Sequence, residues 1–457
     1  MKRNLDMLHG PIWTRMTAFA LPLILSSALQ QLFHAADIAV IGHFAGAAAL
    51  AAVGANSSII NLLINLIVGL SAGINAMVSR CIGEGKPEKV SAAIHASAAL
   101  GLILGVAFCV LGVVLAMPVL TLMGVPAEIA DPAARYLTIY FLGMPFIVLY
   151  NFAAAVLRSK GDTKRPVLAL IAAGVLNVLL NLFFVTVLHK GVSGVAAATV
   201  MANGAAALCM AVILIREKGE FRFSWRKLSV DFKILKEIAC VGVPAGLQGM
   251  IFSISNLIVQ TAINKLGPMY IAGNMAAAPF DYLPYFIYSA FNHAALTFIS
   301  QNYAARNLAR ARKCAMWAIV LSVLSGLAVN IAFILTRHSA IGLFTTDPEV
   351  QRIACIRIVI MLSFEFFNGI LEVCSGILRG FGKPVIPTVT VLVGVCGIRI
   401  VMVCFMPPMG NAYQYLMASF PVAWIAASLV LTAASLRVMN RIRREEKLQI
   451  KRVPAIA

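Results

Sequence analysis

Charge is the scarcest property of this chain. Only 12% of its 457 residues are Asp, Glu, Lys or Arg, while 61% are apolar. Soluble domains carry about 25% charged and about 45 to 50% apolar residues, so the composition excludes a soluble enzyme. Cysteine is sparse as well: nine are placed singly, with no CxxC pair and no metal-ligand spacing. That leaves neither a disulfide framework nor a metal site to expect. There is no GxxxxGK[ST] phosphate loop, no HExxH helix and no polar stretch long enough for a nucleotide-binding domain. No enzymatic activity and no cofactor are expected.

What is present is a series of long apolar runs punctuated by glycine (33) and proline (19). In lipid every backbone polar group must be satisfied internally, which favours helices, and neighbouring helices tolerate Gly and Pro. Spans are expected near residues 16–42, 51–79, 90–116, 132–157, 166–188 and 194–215, then 238–263, 270–302, 313–336, 353–378, 385–406 and 413–436. The run from Met16 to about Ile41 is too long for a signal-peptide core and should remain as the first span. The expected fold is an all-α membrane protein of twelve transmembrane helices.

The net charge of +19 would suggest nucleic acid in a soluble protein. Here the basic residues lie in short loops, where they act as topology signals, and no nucleic-acid partner is expected. With the N-terminus in the cytoplasm, the inner loops and both termini hold 30 of the 37 basic residues. The outer loops hold Lys190, Lys265, Arg337 and Arg352, and Arg135, Arg357 and Arg399 lie in or at the edges of spans. This asymmetry predicts that both termini are cytoplasmic, and the expected location is the cell membrane, as a multi-pass protein of the bacterial inner membrane.

The halves repeat. Leu157-Arg158, Gly161 and Pro166 recur as Leu378-Arg379, Gly382 and Pro387 at an offset of 221, which also maps Leu122, Glu128 and Ala51 onto Leu343, Glu349 and Ala272. Six spans repeated in parallel describe two pseudo-symmetric lobes of a transporter. The expected parts are an N-lobe at 1–215, a cytoplasmic linker at 216–236, a C-lobe at 237–437 and a basic cytoplasmic tail at 438–457.

Fourteen of the 18 acids belong to loops, helix ends or tails, leaving Asp37, Asp281, Glu365 and Glu372 inside apolar runs. A charge at mid-bilayer costs about 2.5 to 3.5 kcal/mol on insertion scales, so each needs a cavity, a partner or a proton. His34, one turn before Asp37, is placed to relay its proton. Glu365 and Arg399 both fall about 21 to 22 Å from the cytoplasmic side at 1.5 Å per residue, which suggests a structural ion pair. Asp281 sits in PFDYLPYFIY with Tyr282 and Tyr285, a setting for a lipophilic cation or for an interfacial aromatic belt. Glu372 could line an inner cavity.

These residues resemble a known family, the multidrug and toxic compound extrusion (MATE) transporters. In the first half the resemblance rests on Pro22, on Asp37 followed by Ile41-Gly42, on LRSKGDTKRP from Leu157, and on Asn177 and Asn181 followed by GVSGVAAAT ending at Thr199. In the second it rests on Gly242-Val243-Pro244, on ISQNYAARN from Ile299 and on LRGFGKPVIP from Leu378. It implies a V-shaped two-lobe antiporter, working as a monomer in the lipid bilayer. Such a protein expels cationic or amphipathic small molecules in exchange for protons or sodium, with Pro22 as the hinge of the first helix. Similarity to the DinF-like branch implies an ion-coupling cluster at Asp37, Asn177, Asn181 and Thr199. Asn181 stands where some members carry a second Asp, which favours protons over sodium. The NorM-like branch has acids on its seventh and tenth helices; here Gln248 and Asn368 occupy those helices, and with Glu372 they are expected to line the substrate cavity. Sodium coupling, or a lipid-linked sugar flippase, are the alternatives.

Overall fold

A computed structural model describes residues 5–407 and 411–452, and every regular element among them is a helix. The first half holds α1 (Ile12–Phe44), α2 (Gly46–Gly83), α3 (Pro87–Leu122), α4 (Ala127–Leu142), α5 (Met144–Ser159), α6 (Lys164–Leu182) with a π-helical extension at Phe183–Val187, and α7 (Gly191–Ile215). The second holds α8 (Phe232–Asn264), α9 (Pro268–Ala304), α10 (Leu308–Gly342), α11 (Pro348–Gly380), α12 (Val385–Thr390), a π-helical stretch at Val391–Gly397, α13 (Ile398–Cys404) and α14 (Ala412–Arg452).

Ten of the described helical segments are long and apolar enough to cross a membrane, and α4 with α5, bent by 45°, makes an eleventh. The expected twelfth is α9. At 37 residues it has the length of a span, about 55 Å at 1.5 Å per residue. Its mean apolarity is lowered by Asn274, Asn292, Gln301 and Asn302, all buried against neighbouring helices. Polar groups turned inward escape lipid, so low hydropathy here marks an interior helix.

Helix starts follow local chemistry. Proline opens α3, α9 and α11, where its missing N–H would be unpaired in any case. The Asp347 carboxylate accepts from the N–H groups of Glu349 and Val350, and Asn307 accepts from Arg310. The repeat is visible in the backbone: Gly161 and Gly382, 221 positions apart, both hold a positive φ, 89° and 77°. Each lets the chain reverse tightly after a helix and start the next one.

By contacts the chain forms two compact units, one of Leu25–Gly242 and one of Leu5–Ile24 with the chain from Val243 onward. These boundaries differ from the expected lobes. Residues 5–24 count with the second unit, where Met7 is buried and its carbonyl accepts from Asn302 and Arg310 at 3.1 and 3.2 Å. The 216–236 stretch, expected as a linker, is an integral piece of the first unit. Phe221 and Phe223 are buried, Phe223 stacks on His95, and the Ser224 N–H donates to His95 Nε2 at 3.1 Å. Since Nε2 accepts, Nδ1 carries the proton and donates to the Ser91 carbonyl at 2.7 Å. Of the expected tail, 438–452 continues α14 as helix, and 453–457 lies outside the described residues, as do residues 1–4 of the expected N-lobe.

Candidate functional site

In the first unit one helix contact sets the geometry. Gly174 on α6 is a notch for the Phe33 ring of α1: a Cβ there would stand 1.8 Å from the ring. With α1 held this close, Asp37, one turn beyond Phe33, faces Asn177 and Asn181, which lie three and seven residues beyond Gly174 on the same face of α6. The Asn181 amide donates to Asp37 Oδ1 and, at 3.3 Å, to Asn177 Oδ1. The Asn177 amide donates to Thr199 Oγ1 of α7 at 3.4 Å, and that hydroxyl donates to the Val195 carbonyl at 2.9 Å. Both asparagines are buried, whereas Asp37 and Thr199 are half-buried.

The structure therefore brings together four of the five expected ion-coupling residues. It orders them as a relay of neutral donors ending on a single carboxylate, whose Oδ2 has no bond to any described group. His34 is exposed and makes no hydrogen bond to Asp37 among the described contacts, so the expected relay is not formed in this conformation. Pro22 lies inside α1, where it removes the hydrogen bond to the Ala18 carbonyl, two residues before the unit boundary at Ile24.

The second unit corrects two expectations. Glu365 and Arg399 do not pair. The Arg399 guanidinium donates from Nη1 to Asn256 Oδ1 at 2.7 Å and to Ser255 Oγ at 3.3 Å, and lies over the rings of Phe420 and Phe252. Glu365 is buried elsewhere, within electrostatic reach of Asp281 and Arg357. Equal depth does not mean facing sides. Asp281, expected to serve a lipophilic cation or an interfacial aromatic belt, is instead clamped by Arg357, whose Nε donates at 3.2 Å and whose Nη2 closes an ion pair. Arg357 Nη1 donates to Asn274 Oδ1, Asn274 donates to Gln260 at 2.8 Å, and the Tyr413 hydroxyl donates to the same Asn274 oxygen at 3.4 Å.

The expected cavity residues separate over three helices. Tyr282 and Tyr285 of α9 are exposed. Gln248 of α8 is buried, accepts from Arg379 at 2.6 Å and donates to Ser375 at 3.4 Å. Asn368 is buried on α11, and Glu372 of the same helix accepts from Asn292 at 2.7 Å. Arg357, Glu365, Asn368, Glu372, Ser375 and Arg379 follow at steps of eight, three, four, three and four, so they form one polar stripe along α11. Sequence reasoning missed Arg357 as a partner. A signal was available: an arginine inside a span seeks a partner, and the four intramembrane acids were candidates for Arg357.

Comparison with known proteins accords with this architecture. The MatE family model matches twice, over residues 22–183 and 244–405, more than half of the chain. The two matches start 222 positions apart, at Pro22 and Pro244, beside the offset of 221 in the motifs. "Probable multidrug resistance protein YoeA" of Bacillus subtilis is 27% identical over 402 residues, covering 85% of this chain and 86% of that protein. "Probable multidrug resistance protein NorM" of Thermotoga maritima is 24% identical, covering 83% and 82%. A solved structure described as the outward-facing conformation of a multidrug resistance MATE family transporter superposes with a TM-score of 0.89 at 22% identity, over 97% of this chain and 99% of that one. That likeness is one of fold. With two matched repeats, each beginning at a helix-internal proline, the chain belongs to the MatE family of multi-pass membrane transporters.

Proposed function

We propose that this protein is a multidrug efflux antiporter of the cell membrane, expelling cationic or amphipathic small molecules in exchange for protons, with Asp37 as the proton carrier. The observation that carries the reading is the single carboxylate at the end of a chain of neutral amides in the first unit. Sodium is a hard cation that favours several oxygen ligands turned toward it, whereas a proton needs one titratable oxygen. Here N–H groups already bridge the oxygens of Asp37, Asn177 and Thr199. Protonation of Asp37 would remove the acceptor charge that Asn181 addresses and loosen α1 from α6. The proline-weakened turn at Pro22 is where such a change would be absorbed.

The names of the curated relatives, both probable multidrug resistance proteins, support a drug-like substrate class. Exposed Tyr282 and Tyr285 offer ring faces to a lipophilic cation. The charge asymmetry of the loops supports cytoplasmic termini, and the working unit is read as a monomer. The test is dye transport in inverted vesicles energised in turn by a pH gradient and by a sodium gradient. Accumulation is expected with the pH gradient alone. Transport that persists when the pH gradient is collapsed and stops when sodium is withdrawn would make Asn177, Asn181 and Thr199 ion ligands and overturn the proton assignment.

A further inference from the structure

Arg399 is fully buried, 0% exposed, on α13, a helix of the second unit. Its guanidinium has no ion pair with a described acid. One terminal nitrogen, Nη1, is used on Asn256 and Ser255, while Nε and Nη2 have no partner. Those two nitrogens form one edge of the guanidinium, with parallel N–H bonds, the edge that binds an anion in bidentate fashion. A third unpartnered donor lies one ring away: the indole Nε1 of Trp424, a side chain 3% exposed whose ring packs 5.9 Å from that of Phe420. Phe420 in turn lies 4.1 Å under the guanidinium.

All three orphan groups can only donate, since neither guanidinium nor indole has an acceptor. Ring faces offset part of the positive charge, but a buried cation without a counter-charge remains costly. Donors without acceptors, on a cation without a counter-charge, suit an anion. The guanidinium is fully buried beside Phe252, Phe420, Ser255 and Asn256, a setting that suits a compact group. Asn256, which accepts from Nη1, is exposed on α8. We propose that the second unit holds a structural anion site in which the Nε and Nη2 edge of Arg399, with the Trp424 indole nearby, binds chloride or a halide of similar size.

The test uses the full-length protein in detergent, with sodium chloride exchanged for sodium gluconate at constant ionic strength and the melting temperature followed. The expected result is a melting temperature that rises with chloride and saturates, with bromide substituting and gluconate inert. Arg399→Gln should abolish the dependence. Arg399→Lys keeps the charge without the parallel pair and should raise the chloride midpoint about tenfold, and Trp424→Phe should raise it a few-fold. Equal melting of the wild type in chloride and gluconate would overturn the site, as would a chloride dependence that survives in Arg399→Gln. Should that variant not fold, crystals of the wild type soaked in bromide decide: an anomalous peak on the Nε and Nη2 edge supports the site, and none there refutes it.

Discussion

Asp37 and Asp281 are both aspartates inside apolar helices, and their surroundings are opposite. Asp37 meets only neutral partners, an asparagine amide backed by another asparagine and a threonine. Asp281 is bound to Arg357 and shares a network with Asn274, Gln260 and Tyr413. A carboxylate held by neutral donors can gain and lose charge without stranding another charge. One locked to a buried guanidinium cannot, because protonation would leave the cation unpaired in a medium of low dielectric. The first arrangement suits a switch and the second a fixed post, and the same substitution should separate them.

Asp37→Asn keeps size and hydrogen-bonding capacity and removes the titrating charge. Transport should fall to background, while the melting temperature stays at or slightly above that of the wild type, since no buried partner loses its counter-ion. Dye efflux at the normal rate would remove Asp37 from the mechanism and end the contrast.

Asp281→Asn should do the reverse in kind. It leaves Arg357 buried without its direct ion-pair partner, with Glu365 only in electrostatic reach, at a cost of about 3 to 5 kcal/mol. Replacing both partners, as Asp281→Asn with Arg357→Met, should recover most of that loss, because a hydrophobic isostere no longer needs the acid. Denaturation of the single and double variants in detergent measures the coupling. A single variant as stable as the wild type would show that Asp281 is not a fixed post.

These two sites also show what could be read before the structure. Helical rise fixes depth, so residues on helices of known ends can be ranked along the membrane normal. The cluster of Asp37, Asn177, Asn181 and Thr199, implied by the resemblance, is compatible with such depths, and its members form one hydrogen-bonded chain. Rise says nothing of which way a side chain turns. Glu365 and Arg399 share a depth yet face different neighbours, and Arg357, given no partner in advance, proved to be the partner of Asp281. The two-fold repeat was legible because Gly161 and Gly382 are required by the same backbone turn. The unit boundaries were not, because Leu5–Ile24 joins the second unit through packing of Met7 and its backbone contacts to Asn302 and Arg310, which no local pattern announces.

A third substitution probes what positions Asp37 without touching it. Gly174→Ala places a methyl against the Phe33 ring and should push α1 from α6. The overpacking cost is about 1 to 3 kcal/mol, with a drop in transport larger than the stability loss explains, because Asp37 would move out of reach of Asn181. Trimming the ring in Phe33→Leu with Gly174→Ala should restore part of both. Full transport in Gly174→Ala would mean that the notch does not set the site.

The smallest effect is expected at Glu217, which asks whether pairing alone makes an acid a fixed post. Like Asp281 it is paired, to Lys160 at 2.7 Å and to Arg165, but it lies just past the end of α7, outside the spans. Burial pushes its carboxyl up, yet hydrogen bonds from Lys160 and Arg165 outweigh this and hold it below the usual glutamate value of 4.5. An acid depressed in the folded state stabilises above its unfolded value and loses that contribution as pH falls through the folded value. Stability should therefore be flat from neutral pH down to about pH 5 and then decline by about 1 to 2 kcal/mol below it, a range set by charge-assisted bonds near water. Glu217→Gln should show this loss already at pH 7 and no further decline from this site below pH 5, with transport unchanged. A Glu217→Gln variant that matches the wild type at pH 7 would show that pairing near water contributes nothing, and would confine fixed posts to the buried interior where Asp281 sits.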